Sequence, residues 1–321
     1  MKNNSIEGFR GVLICWIALF HYTFRYNSLF STHTINIPFV FQNAIVGVSI
    51  FFLLSGFFFA KSLLRIYENS TISYTAKTII NKYWRLWYPY VLAIVLIYGI
   101  SLLFPLPSRH VSLNTFLINL LFIVHPGVPY VDGSHWFIST LFVFQIIFLL
   151  LAYLFKKSYK TVLVFISIII LLTLIPHHFQ KIFINNILSY KLLSFSIGLL
   201  LFFGKEKNNK ILLLAFLTFL LLIYKFHNIW FFVYFIMTLI FIYNLIPLFA
   251  KIFSSKIMLF IGSNSFMWYL IHQNIGYTII YYLRDIFNHT FLIILSLLFT
   301  FLLSVFINKC LQRCPSILFK L

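Results

Sequence analysis

Runs of apolar side chains, each near membrane-crossing length and separated by short polar joints, recur along the whole of this sequence. They fall at about 11–29, 40–60, 87–104, 135–155, 161–176, 187–203, 211–224, 229–246, 257–275 and 290–307. A helix needs roughly 20 residues to cross the hydrocarbon core of a bilayer. The pattern therefore predicts an all-α, polytopic membrane protein of about ten transmembrane helices. Its longest polar stretches are 61–85, 105–115, 124–135, 176–186 and 276–290. None has the length of a soluble domain, and no internal repeat or low-complexity linker stands out. One membrane domain over 1–321 is expected, with a short cytoplasmic tail from about 308.

Composition agrees and charge adds a direction. Hydrophobic residues make up 62% of the 321, charged residues only 9%, and the mean hydropathy is +0.98. A water-soluble domain could not hide that much apolar side chain. The net charge of +19 would suggest nucleic acid in a soluble protein; here it points to the bilayer and to no nucleic-acid partner. With the N-terminus inside, eighteen Lys and Arg fall on cytoplasmic segments, from Lys2 to Lys320. Only Arg25, Arg109, Lys181, Lys191, Lys225 and Arg284 fall outside. That positive-inside bias places both termini in the cytoplasm. The first run carries Arg10 and His21 and no small-residue cleavage site after it, so it reads as a retained span. Cys15, Cys310 and Cys314 make no disulfide framework, and no metal-ligand set is evident.

Ionisable residues within spans are costly, which makes each a functional candidate. In "EGFRGVLICWIALFHYTFRY", 7–26, Arg10 and His21 are eleven positions apart. Eleven residues are about three helical turns, so the two side chains share a face to within roughly 20°. Glu7 lies one turn before Arg10. Arg10 alone reads equally as an interfacial anchor, and His21 as a buried imidazole bonded to a neighbouring helix. Together with Glu7 they describe a polar track into the bilayer, and His is the side chain best suited to general-base work near neutral pH.

Three further stretches carry chemistry. "GVSIFFLLSGFFFA" has Gly47, Ser49, Ser55 and Gly56 in a bulky helix, where small residues permit close packing. It is followed by "SYTAKTIINKYWRLWYPY", an interfacial pattern leading into a span that starts near Pro89. Its Lys82 and Arg85 suit either lipid headgroups or the phosphates of a polyanionic cytoplasmic ligand. "GSHWFISTLFVFQ", 133–145, places His135 and Trp136 at a span mouth, as an aromatic belt or a sugar-stacking site. "GSNSFMWYLIHQ", 262–273, brings His272 near the end of the ninth run. The pair His177–His178 reads as loop-borne and solvated.

In this order the four stretches resemble the acyltransferase 3 family of membrane acyltransferases, which O-acylate sugars and other hydroxyl compounds. Arg10 and His21 match its Arg/Lys, ten residues, His signature, and "EGFRG" is similar to its acidic-Gly-Leu-Arg opening. "FFLLSGFFFA" resembles its second-helix element. "KYWRLWYPY" is similar to its third-helix entry, with Lys82 in place of the usual Arg. "SHWFI" and "SFMWYLIH" resemble its later Trp and Tyr-Leu-x-His elements. The resemblance implies transfer of an acyl group, acetyl in the first instance, from cytoplasmic acyl-CoA to a hydroxyl of a cell-surface glycan or its lipid-linked precursor. The enzyme would sit in the inner membrane, with acetyl-CoA as substrate and no bound cofactor. It implies His21 and Arg10 as catalytic, Lys82 and Arg85 as donor-binding, and Glu7, His135, Trp136 and His272 as acceptor-side candidates.

Two departures stand against the family's pattern. No acidic residue lies within 140–144, after Trp136, where many members have one. Many members also continue into an extracytoplasmic hydrolase-like domain, so the stand-alone form is expected. A transporter or flippase of a lipid-linked sugar or small solute would also place His and Arg at mid-membrane, though repeated halves or paired broken helices are not visible here. A scaffold without catalysis is the third reading.

Overall fold

The computed structural model describes residues 3–30, 44–69, 71–107, 109–122, 129–155, 159–174, 190–226 and 230–313. Lys2, Lys156, Lys157, Lys181, the His177–His178 pair, Cys314 and Lys320, all weighed above, lie outside the described residues, as does the start of the second apolar run at 40–43. Among the described residues the chain is helical throughout, without a β-strand. Two compact units are present. One comprises Met1–Gly47, Trp84–Thr140 and Leu239–Lys320; the other comprises Val48–Tyr83 and Leu141–Thr238.

The helices are α1 (Asn4–Phe20), a π-helical turn (His21–Arg25), α2 (Tyr26–Phe30), α3 (Ala44–Glu68), α4 (Ile72–Leu103), α5 (Leu113–Leu120) and α6 (Trp136–Leu154). Next come α7 (Tyr159–Leu174), α8 (Tyr190–Glu206), α9 (Lys210–Phe226), α10 (Trp230–Tyr243), α11 (Pro247–Phe253), α12 (Lys256–Leu283) and α13 (His289–Arg313). A helix underlies each of the ten apolar runs. Among the described residues four helices are long and apolar enough to cross a membrane by themselves, α3, α4, α6 and α13, a fifth if α10 and α11 form one span bent by 86°. That bend has a local cause. Asn244 adopts a left-handed φ of 52° just past α10, and Pro247 then starts α11.

Two elements differ from the sequence reading. The interfacial pattern and the third span form one continuous helix of 32 residues with Pro89 inside it, not two helices meeting there. Helix α12 is long, but polar residues interrupt its apolar character; Asn264, Ser265, His272, Gln273 and Asn274 are all buried along it. In the first unit, α1 packs against α12 through glycines. A side chain on Gly11 would meet the Gly262 backbone N at 2.9 Å, and one on Gly262 would reach the Glu7 carbonyl carbon at 2.5 Å. Without Cβ atoms at these positions the two backbones come into direct contact. In the second unit, α3 meets α8 in the same manner at Gly56 and Gly198.

Candidate active site

At its start, α1 is fixed by its cap. The Asn3 side chain accepts from the backbone N–H of Ser5 and Ile6, and its amide donates to the Phe241 carbonyl. One turn further, Arg10 donates to Glu7 at 3.4 Å. Both side chains stay partly accessible, at 28% and 22%. The field of Arg85, on α4, also reaches Arg10. Two cations therefore lie within reach of each other's field at this end of α1, one of them bonded to Glu7.

At the other end, α1 does not stop at Phe20 but loosens by one residue. The Tyr26 N–H donates to the His21 carbonyl, five residues back, and the Thr23 hydroxyl donates to the Leu19 carbonyl. This turn places two neighbouring side chains on α12. Tyr22 is fully buried; its hydroxyl donates to the His272 carbonyl at 2.7 Å and lies 3.2 Å from the Thr300 hydroxyl of α13. Its ring lies against Gly276, where a Cβ would meet the phenol oxygen at 2.5 Å. His21, only half-buried, sets Nδ1 3.1 Å from the Tyr277 hydroxyl. The His21 and His272 rings are 5.1 Å apart, centre to centre.

The loop before α6 closes onto the same helix. Asp132 is fully buried; its carboxylate accepts from the Ser134 N–H and hydroxyl and from the Asn274 N–H. Burial alone would raise its pKa, but the imidazoles of His135 and His272 and the Ser134 bonds outweigh that and hold it below the ordinary carboxylate value. His135, fully buried, donates through Nε2 to the Leu270 carbonyl at 2.8 Å, and the Tyr269 hydroxyl donates to the Ser134 carbonyl. Arg109 donates to Asn274 at 3.4 Å and lies over the Tyr277 ring at 5.5 Å. Beside it opens a small cleft whose polar lining is Ser101, Arg109, Asn274 and Thr278.

The structure thus gives each candidate from the sequence a place. His21 and His272 come together, with Tyr277 and Tyr22 completing the cluster. Arg10 has Glu7 and Arg85 for neighbours, and Arg85 is exposed. Lys82, three positions earlier on α4, has its ammonium 5.0 Å from the Phe59 ring centre. Trp136 is half-buried at the start of α6, edge-on to Phe137. The sequence reading missed Asp132, Tyr277 and Arg109. Asp132 carried a signal, because the chain has only five acidic residues and this one stands three positions before His135. The helix after Trp136 supplies no carboxylate, as the sequence predicts; the preceding loop supplies one instead.

Residues 3–309 match the acyltransferase domain model of the acyltransferase 3 family. The chain belongs to that family. No curated protein and no solved structure matches it. As an acyltransferase 3 family member it is a multi-pass membrane acyltransferase, working on an acyl donor and an acyl acceptor at a bilayer. The Arg/Lys-to-His signature of the family falls on one continuous helix here, with its basic end among charges and its histidine end among buried hydroxyls and imidazoles.

Proposed function

We propose that this protein is an inner-membrane O-acyltransferase with ten spans and both termini in the cytoplasm. It takes an acyl group, acetyl in the first instance, from cytoplasmic acyl-CoA and places it on a hydroxyl of a cell-surface glycan or its lipid-linked precursor. The observation that carries this reading is the half-exposed His21 imidazole, tied through Nδ1 to Tyr277 and set on a helix that leads back to Arg10. An imidazole so oriented can take the proton of an acceptor hydroxyl while that oxygen attacks the thioester, or carry the acyl group briefly. Arg10 and Arg85, with Glu7 bonded to Arg10, form a positive excess suited to the CoA phosphates; Lys82 is a further donor-binding candidate from the sequence.

The test is NMR of surface polysaccharide from a deletion strain complemented with wild type or His21→Ala, followed by transfer rates on the purified proteins. General-base catalysis contributes about 10²–10⁴-fold, so His21→Ala should lose the O-acetyl proton signals and most of the rate while still inserting normally. A purified His21→Ala protein that acetylates its glycan near the wild-type rate would overturn the reading.

A further inference from the structure

Three histidine ring nitrogens of the first unit are buried without a hydrogen-bond partner among the described residues, Nδ1 of His135, Nε2 of His289 and Nε2 of His272, and the last belongs to the ring beside His21. His272 is fully buried, and its Nδ1 lies 2.7 Å from the Tyr269 carbonyl oxygen. A carbonyl only accepts, so Nδ1 carries the proton and the neutral ring presents Nε2 as a bare lone pair. That nitrogen is buried and meets no hydrogen-bond donor. An unsatisfied buried acceptor is costly, and a position that keeps one calls for an explanation. The explanation lies 5.1 Å away, at the His21 ring. Two imidazoles joined by an N–H···N bond have ring centres separated by about 5 Å, given a usual donor–acceptor distance of about 2.9 Å. For that bond to form, the half-exposed His21 has to turn its outer nitrogen toward the His272 lone pair.

We propose that His272 is the proton-sharing partner of His21: when His21 becomes an imidazolium during transfer, its new N–H is received by Nε2 of His272. The inference rests on His21 acting as the base. In that step the acceptor O–H breaks, its oxygen forms the ester bond, and the C–S bond of the thioester breaks. The departing thiolate then recovers the proton from the histidine pair, so no other reactant is required. His272 touches no substrate and is a positioning residue acting through His21. Behind His272 stand Asp132 and His135, so the one buried carboxylate of the cluster backs the ring that receives the proton.

Amide replacements separate this role from a structural one. His272→Asn keeps an N–H near the position of Nδ1 for the Tyr269 carbonyl but has nothing at Nε2. His272→Gln extends far enough to offer its amide oxygen near the lost Nε2. A hydrogen bond to a charged group is worth about 10- to 100-fold in rate. The measurement is steady-state transfer by purified full-length protein at matched membrane levels, with acetyl-CoA varied. His272→Asn should lose about 10- to 100-fold in kcat at unchanged donor KM, and His272→Gln should recover a clear part of it. Wild-type kcat in His272→Asn, a change confined to KM, or a His272→Gln as slow as His272→Asn would each overturn the proposal. His21→Ala is measured alongside. Full activity there would instead remove the reading of His21 as base on which the proposal rests.

Discussion

Replacing Gly262 by alanine tests whether the α1–α12 contact sets the chemistry or only the stability. The added Cβ would stand 2.5 Å from the Glu7 carbonyl carbon, and closer still to its oxygen, whereas ordinary contacts begin at 3.4 Å. Neither atom is the end of a flexible side chain, so the helices must separate locally by about 1 Å. Overpacking of this kind costs about 1–3 kcal/mol, which a helical unit of this size can survive. The site is less tolerant, because His21 and Tyr22 ride on α1 and its π-helical turn while His272 and Tyr277 ride on α12. A misplacement of about 1 Å between reacting groups can cost on the order of 10²-fold in rate. Gly198→Ala is the matched control: its Cβ would meet the Phe57 backbone N at 2.7 Å, in the unit that contains none of His21, His135 and His272. Thermal unfolding in detergent and kcat per folded molecule are measured for both. Both variants should lose stability, and Gly262→Ala alone should lose about 10- to 100-fold in kcat. A Gly262→Ala protein with lowered stability but wild-type kcat would refute the reasoning.

Two further outcomes follow from the charged groups. Arg85→Lys preserves charge but removes the planar fork, so acyl-CoA KM should rise several-fold at unchanged membrane level if Arg85 grips phosphate; unaltered donor kinetics would mark it as a headgroup anchor. Asp132→Asn leaves one of the Ser134 and Asn274 donors facing an amide N–H in a buried loop, and should cost about 1.5–3 kcal/mol in detergent unfolding. Because the folded carboxyl titrates below its ordinary value, its contribution is full above about pH 4, the unfolded value, and fades as the pH falls through the folded one. The stability gap between wild type and Asp132→Asn should narrow accordingly at low pH; a gap that widens as the pH falls below about 4 would count against that linkage.

Much of the helical layout was legible, because apolar runs with polar joints mark helices without reference to tertiary contacts. The π-helical turn was not: "HYTFR" has nothing in its pattern that distinguishes it from plain helix, and the turn depends on Tyr22 and Tyr26 finding partners on α12 and α13. Pro89 misled in the opposite direction. A proline signals a break, yet the missing N–H is tolerated within α4. Among the candidate site residues, His21 and Arg10 were singled out by their spacing along one helix. Asp132, Arg109 and Tyr277 converge on the His21–His272 pair from three separate segments, and no periodicity within a single segment can report that. His135 was legible as a polar residue at a span mouth, but its fully buried Nε2 bond to Leu270 follows from how the loop folds onto α12.

The π-helical turn carries one consequence for how this chain can change in length. A π turn holds one residue more than the α-helix that would replace it. Deleting any residue of 21–25 would leave a sequence still able to form an uninterrupted helix, and the apolar run would read almost unchanged. The extra residue is what the wide turn absorbs, so the helix on either side would keep its direction, while the side chains within the turn, His21 and Tyr22 among them, would lose their aim at the Tyr277 hydroxyl and the His272 carbonyl. The segment is thus a place where losing a single codon could preserve insertion into the bilayer and erase the register of the active centre.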